Sequence, residues 1–125
     1  MAPCLPLPLL VLAVLAAPSL ADAQGKALFT ARCAVCHQAE TTAAAPSLEG
    51  VFGRPIASLS GFAYSAALRT KSGERWTRAN LDAFLSDPNA FAPGTAMYAG
   101  PLTPEERSAI IAYLMTLKAP ASAKP

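Results

Sequence analysis

The stretch Cys33-Ala34-Val35-Cys36-His37 decides how this chain is interpreted. Two cysteines that are separated by two residues and followed at once by a histidine have the spacing of a covalent haem attachment site. The two thiols can add to the two vinyl groups, and the adjacent imidazole then lies under the iron. The stretch therefore predicts one covalent haem c, attached through Cys33 and Cys36, with His37 as an iron ligand.

Two other uses of a cysteine pair have to be weighed against haem. In an exported protein the two thiols could form a disulfide or act as a redox pair. A zinc site of the ribbon type needs four ligands. His37 is the single histidine, and Cys4, the third cysteine, lies in the predicted export signal and is lost with it. We therefore favour haem over both alternatives.

Residues 1–23 predict an export signal. Leu5 to Ala17 is almost wholly apolar, and Ala21-Asp22-Ala23 has the small-x-small pattern that signal peptidase needs, so Gln24 becomes the first mature residue. The alternative is an uncleaved membrane anchor, but the apolar run is shorter than the roughly 20 residues of a spanning helix. We expect a periplasmic protein.

Length and charge indicate one small domain. We assign residues 24–118 to it and residues 119–125 to a disordered tail, because 125 residues suffice for one core. The chain has 10 basic and 8 acidic residues, and the loss of Asp22 with the signal leaves a net charge of +3. No basic cluster is interleaved with aromatic residues, so nucleic acid is not an expected partner.

Helical patterns are short and are separated by long loops. No helical periodicity is found in residues 38–61 or 89–101. Long loops in so small a domain usually surround something, so the predicted fold class is all-α, with a few helices and long loops wrapped around one haem. The predicted helices are Gly25–Arg32, Ser65–Lys71, one that Thr77 caps and Asp87-Pro88 ends, and one that begins with the capping box of Thr103, Pro104 and Glu106.

The sixth position of the iron has few candidate ligands. They are Met97, Met115, a lysine or an exogenous molecule. Met115 falls inside the last predicted helix, where a methionine is usually core filler. Met97 follows Pro93-Gly94 in a loop, and these residues can turn the thioether inward. Met97 is therefore favoured as the second metal ligand.

The chain from Gly25 to Leu117 resembles the class I c-type cytochromes, the mitochondrial and bacterial cytochrome c family. That resemblance implies the small cytochrome c fold, in which the first and last helices cross. It also implies that Gly25 and Phe29 meet Ile110, Tyr113 and Leu114. The matching segments are Cys-Ala-Val-Cys-His at 33–37, Gly-Val-Phe-Gly-Arg at 50–54, Gly-Phe-Ala-Tyr-Ser at 61–65, Trp76, Asp87-Pro88, Pro-Gly-Thr-Ala-Met at 93–97, Glu106-Arg107 and Ala112-Tyr113-Leu114.

The same resemblance implies roles for individual residues. Met97 is then the distal ligand, and the carbonyl of Pro46 accepts a hydrogen bond from the His37 ring, which makes the imidazole a better donor. A charge, a hydroxyl and an indole N–H bind the inner haem propionate. The further haem-binding residues implied in this way are Arg54, Tyr64, Trp76 and Thr95.

A haem with two protein ligands predicts an electron carrier and no enzyme. We expect a soluble monomer of a respiratory chain that moves single electrons between membrane redox complexes, such as a cytochrome bc complex and a terminal oxidase. The alternatives are a haem enzyme or gas sensor with an open sixth site, or the haem domain of a larger redox assembly. The loop around Met97 has no second histidine or arginine to handle peroxide, which disfavours a peroxidase.

Overall fold

A computed structural model describes residues 1–4, 8–14 and 19–119, so parts of the predicted signal (5–7 and 15–18) and the tail 120–125 lie outside the described residues. Within the described ranges there are five α-helices, no β-strand and one isolated antiparallel bridge between Pro55 and Arg75. The prediction of an all-α fold is confirmed. The helices are α1 (Leu20–Arg32), α2 (Ala66–Thr70), α3 (Arg78–Ser86), α4 (Pro88–Phe91) and α5 (Pro104–Leu114).

Helix α1 begins before the predicted start at Gly25. Ser19 is its N-cap, and the Ser19 hydroxyl accepts a hydrogen bond from the backbone N–H of Asp22 at 3.2 Å. The carboxylate of Asp22 in the first turn also suits the positive end of the helix dipole. The predicted start was wrong because Ser19 belongs to the segment assigned to export. Helix α1 consequently continues through the expected cleavage position between Ala23 and Gln24.

Helix α4 forms where the sequence predicted a structureless segment from residue 89 onward. Asp87 ends α3 and also caps α4, because its carboxylate accepts from the N–H of Ala90 at 3.0 Å. Pro88 occupies the first helical position, where its missing N–H costs nothing. One Asp-Pro pair thus ends one helix and starts the next. The prediction used only the first of these two effects.

The predictions for α2 and α3 and for the start of α5 are confirmed to within a residue or two. Ser65 caps α2, and Thr77 caps α3. Thr103 and Glu106 form the predicted capping box of α5, with bonds of 3.1 and 2.9 Å. On α5, Ile110 and Leu114 are buried as expected, and Ile111 is buried beside them.

Helices α1 and α5 pack against each other at Gly25. A Cβ atom on Gly25 would clash with the backbone carbonyl of Ala109 and lie 3.1 Å from the Cβ of Tyr113. One turn further along, the rings of Phe29 and Tyr113 lie 5.0 Å apart between centroids. The crossing of the first and last helices is therefore present, and it depends on a glycine at the point of contact.

The hydrophobic core lies between α3, α5 and the loop from residue 50 to 57. An ion pair of 2.8 Å between Arg107 and Asp82 ties α5 to α3. Among the described helices, none is both long and apolar enough to cross a membrane. The buried core residues are Val51, Ile56, Leu68, Trp76, Leu81, Phe84, Leu85, Ala92, Ile110, Ile111 and Leu114.

Candidate haem site

The Cys33–His37 stretch is a tight turn at the end of α1. Cys33 is the C-cap, and its N–H donates to the carbonyl of Phe29 at 2.8 Å. The N–H groups of Cys36 and His37 both donate to the carbonyl of Cys33, at 3.1 and 2.8 Å. Since Phe29 packs on α5, the helix crossing fixes the position of this turn.

The two cysteines of the turn are not joined to each other by a disulfide. Cys33 is buried and Cys36 is exposed. Burial raises the pKa of the Cys33 thiol, which the charge of Arg32 only partly opposes. A redox-active cysteine pair needs a lowered thiol pKa, so the environment of Cys33 does not favour that alternative.

No group of three or more His, Cys, Asp or Glu side chains that could hold a metal ion occurs among the described residues. A structural zinc ion needs four such ligands. The zinc alternative therefore has no support in the described part of the chain.

The ring of His37 is oriented by Pro46, which lies nine residues further along the chain. Nδ1 of His37 lies 2.8 Å from the carbonyl oxygen of Pro46. Because a carbonyl only accepts, Nδ1 carries the proton. Burial lowers the pKa of His37, and the hydrogen bond to Pro46 offsets part of that effect. The neutral ring then has its free lone pair on Nε2, which is the atom available to a metal.

The loop that carries Pro46 is fixed by short hydrogen bonds. The N–H of Ser47 donates to the hydroxyl of Thr41 at 3.0 Å, and the hydroxyl of Ser47 donates to the carbonyl of Ala39 at 2.8 Å. Arg54 adds a bond of 3.1 Å from Nη2 to the carbonyl of Ser47 and one of 3.2 Å from Nη1 to the carbonyl of Glu49. Arg54 thus stabilises the residues directly after Pro46.

Nε of Arg54 is buried and has no hydrogen-bond partner in the part of the chain that the structure describes. Burial lowers the pKa of this guanidinium, and the neighbouring Tyr64 acts in the opposite direction. A partly buried cation with a buried, unused donor is costly unless an anion pairs with it. The site around Arg54 therefore fits a bound carboxylate, such as a haem propionate.

Tyr64 and Trp76 lie close to Arg54. The phenol oxygen of Tyr64 accepts from the N–H of Leu59 at 3.3 Å, which leaves its own O–H free to donate. The backbone N–H of Trp76 donates to the carbonyl of Arg54 at 2.9 Å. The structure thus brings together three of the residues predicted for a propionate.

The Trp76 ring also stacks near Phe91, at 5.8 Å between centroids. The ammonium of Lys71 lies 4.6 Å from the centre of the Phe91 ring. Sequence reasoning missed Phe91, although the Asp87-Pro88 cap of α4 could have indicated its helix.

Met97 is partly buried and packs against the hydrophobic core. Its N–H donates to the hydroxyl of Thr95 at 3.3 Å, and the N–H of Thr95 donates to the carbonyl of Ala92 at 3.0 Å. Gly94 has a φ of +86°, which permits the turn before Met97. Thr95 therefore shapes the Met97 loop through its side chain.

Met115 is not the core residue that its helical position predicted. It is the C-cap of α5, it is 42% exposed, and its sulfur lies 3.3 Å from Nη2 of Arg78. Leu114 is buried and Leu117 packs against the core, whereas Met115 between them points outward. Met97 is consequently the more buried of the two methionines.

Comparison with known proteins places the chain among haem proteins of one family. The cytochrome c family model matches residues 23–118. Cytochrome c 2.1 of Caenorhabditis elegans is 40% identical over 94 residues, which cover 73% of this chain and 84% of that protein. Cytochrome c2 iso-2 of Magnetospirillum molischianum is 40% identical over 89 residues, covering 69% and 91%.

A solved structure agrees with these relatives. Cytochrome cH from Methylobacterium extorquens superposes with a TM-score of 0.68 and 39% identity, over 76% of this chain and 97% of that one. Sequence, fold and the geometry of the turn thus lead to the same assignment: this chain belongs to the cytochrome c family, whose members carry covalently bound haem c and transfer electrons rather than act as enzymes.

Proposed function

We propose that this protein is a single-electron carrier whose haem iron is ligated by His37 and Met97. The observation that carries the proposal is the bond of 2.8 Å between Nδ1 of His37 and the carbonyl of Pro46, which leaves Nε2 free to bind a metal. When bound, the haem supplies an iron with two accessible oxidation states. Cys33 and Cys36, in the turn beside His37, hold it through two thioether bonds.

Met97 provides the second ligand in this proposal. A thioether is a poor donor to ferric iron, and burial disfavours the more charged oxidation state, so we expect a high, positive reduction potential. Met97 is partly buried, and its backbone is held by Thr95. A ligand with a fixed backbone changes little between oxidation states, which suits rapid electron transfer.

Arg54, Tyr64 and Trp76 bind the inner propionate, and Thr95 contributes from the Met97 loop. The unpartnered Nε of Arg54 supports this role, because a carboxylate would supply the missing acceptor and balance the partly buried charge. The O–H of Tyr64 is free to donate to the same group. These residues thereby orient the cofactor and shield its charge from the core.

The physiological role that we propose is transfer between membrane redox complexes, such as a cytochrome bc complex and a terminal oxidase, by a monomer in the periplasm. Residues 1–23 direct export and are removed before Gln24. The intact mass tests the processing: we expect residues 24–125 plus one haem. A mass that includes residues 1–23 would instead indicate an uncleaved anchor.

The absorption spectrum of the oxidised holoprotein tests the ligation. Methionine bound to ferric haem gives a weak far-red band, and a closed site reacts slowly with cyanide or, when reduced, with carbon monoxide. We expect the band and slow reactions. Absence of the band together with immediate cyanide and carbon monoxide binding would contradict His/Met ligation and favour an open-site haem enzyme or gas sensor.

A further inference from the structure

Two arginines from different helices donate to consecutive carbonyls at the end of the Met97 loop. Nη1 of Arg32 lies 3.1 Å from the carbonyl oxygen of Pro101, a residue 69 positions away. Nη1 of Arg107 lies 2.9 Å from the carbonyl oxygen of Leu102. We name Arg32 and Arg107 together the arginine clamp.

The arginine clamp acts where the loop has few other hydrogen bonds. The bonds before Met97 are local: the N–H of Gly94 donates to the side chain of Asn89 at 3.3 Å, and the N–H of Met97 donates to Thr95. Among the described residues, the bond from Arg32 is the one hydrogen bond that ties residues 98–101 to another element. Opening of this half of the loop is thus opposed mainly by Arg32 and by packing of the buried Ala99.

The arginine clamp lies close to the backbone of the Met97 loop. Gly100 has a φ of +74°, and a Cβ there would lie 3.2 Å from Nη1 of Arg32. Arg107 is oriented by its ion pair with Asp82 and has a side chain that is only 14% exposed. Arg32 directly precedes Cys33, so its bond joins the haem attachment turn to the loop that carries Met97.

We infer that the arginine clamp is a positioning device that keeps Met97 on the iron. The inference rests on the proposed function, in which Met97 is a ligand. Segments held by few contacts open locally, at lower cost than global unfolding. The net contribution of one hydrogen bond to stability corresponds to a factor of about 3 to 10 in an equilibrium constant. Loss of the Arg32 bond should therefore shift the opening equilibrium of the loop toward the open form by that factor. An external ligand that binds only the open form then gains affinity by the same factor.

Imidazole titration of the oxidised holoprotein tests the arginine clamp. Imidazole suits this test because the form that binds iron is neutral, so the lost charge of a variant affects its binding little. We expect Arg32→Gln to bind imidazole about 3- to 10-fold more tightly than wild type, with an intermediate value for Arg32→Lys, which keeps a donor. Arg78→Gln loses the same charge, and because the Arg78 guanidinium contacts Met115 rather than the Met97 loop, it serves as the matched control with unchanged affinity.

The outcomes separate this inference from the proposed function. If the wild type shows the far-red band and Arg32→Gln binds imidazole as Arg78→Gln does, the arginine clamp is overturned while Met97 ligation stands. If the wild type lacks the band, both fail. Denaturant unfolding of each holoprotein guards against a global effect: the unfolded chain lacks the Arg32 bond as the open form does, so overall stability should fall by no more than the free energy of the gain in imidazole affinity, and a larger loss would overturn the inference.

Discussion

The turn that carries His37 and the loop that carries Met97 are held in different ways. The Cys33–His37 turn continues from α1, is fixed by backbone bonds to Phe29 and Cys33, and is positioned by helix packing. The loop from Ala92 to Pro101 depends on side chains of Asn89, Thr95 and Arg32. One side of the candidate site is therefore fixed by backbone hydrogen bonds and helix packing, whereas the hydrogen bonds of the other are few and come mainly from side chains.

This difference separates overall stability from ligand retention. Changes beside the His37 turn should lower the free energy of unfolding of the whole domain, because they disturb α1 and α5. Changes in the Met97 loop should mainly alter local opening, which is the cheaper event. The predictions below test this division, from the largest expected effect to the smallest.

Gly25→Ala should give the largest loss of stability. Its new Cβ would clash with the carbonyl of Ala109, a backbone atom that can move only if α1 and α5 separate. We expect the free energy of unfolding of the holoprotein to fall by about 3 kcal/mol, at the upper end for overpacked sites. Gly73→Ala is the control, since a Cβ there meets nothing within 4 Å. Equal denaturant midpoints for the two variants would contradict the view that the packing of α1 on α5 determines overall stability.

Arg54→Met should be next in size and should act on the His37 side. The variant loses the charged donors to Ser47 and Glu49 that hold the residues after Pro46. We expect a loss of about 1.5–3 kcal/mol and, because a positive charge near the iron is gone, a lower reduction potential. Arg75→Met is the matched control: its exposed side chain donates to Gly53 at 2.9 Å, and a change within about 0.5 kcal/mol is expected. If Arg54→Met leaves both the free energy of unfolding and the reduction potential unchanged, Arg54 does not belong to the haem site.

Asp82→Asn should have a modest effect that is divided between the two regions. It weakens the ion pair that orients Arg107, and the Asp82 side chain is 47% exposed. Partly exposed pairs of this kind contribute up to about 1 kcal/mol. We therefore expect a loss below that value by denaturant unfolding, together with slightly tighter imidazole binding. Glu74→Gln, at an exposed acidic position, should change neither quantity.

Ala57→Gly should give the smallest effect and the opposite sign. Ala57 has a φ of +57°, in the left-handed region that costs a residue with a Cβ roughly 1 kcal/mol or more. Glycine relieves this cost but gains entropy in the unfolded state, so we expect a net gain of about 0.5 kcal/mol. A clear loss of stability in thermal unfolding would mean that the Ala57 methyl group contributes more through packing than its backbone costs.

The parts of the fold that local signals encode were predictable from the sequence. The capping box of Thr103 and Glu106 fixed the start of α5, and Thr77 fixed that of α3. Helix α1 was predicted too short because an apolar export pattern overlies its first turn. Met115 was assigned to the core because a methionine inside a helix is usually core filler, but it lies at the C-cap of α5 with its side chain outward.

Parts of the candidate site depend on contacts between distant residues, which the sequence does not encode locally. The motif and the resemblance indicated Cys33, Cys36, His37, Pro46 and Met97. The bond from Arg32 to Pro101 spans 69 positions and joins a side chain to a backbone carbonyl. No spacing or residue pattern in the sequence predicts such a bond. The unpartnered Nε of Arg54 likewise becomes visible only when its neighbours are in place.

The most direct test of His/Met ligation compares Met97→Ala with Met115→Ala in the oxidised holoprotein. Met97 is partly buried beside the core, whereas Met115 is 42% exposed at the end of α5. We predict that Met97→Ala loses the far-red band and has a lower reduction potential, since a soft ligand for ferrous iron is gone. Met115→Ala should keep both and change stability by about 0.5 kcal/mol at most. A far-red band that survives in Met97→Ala and disappears in Met115→Ala would contradict the account.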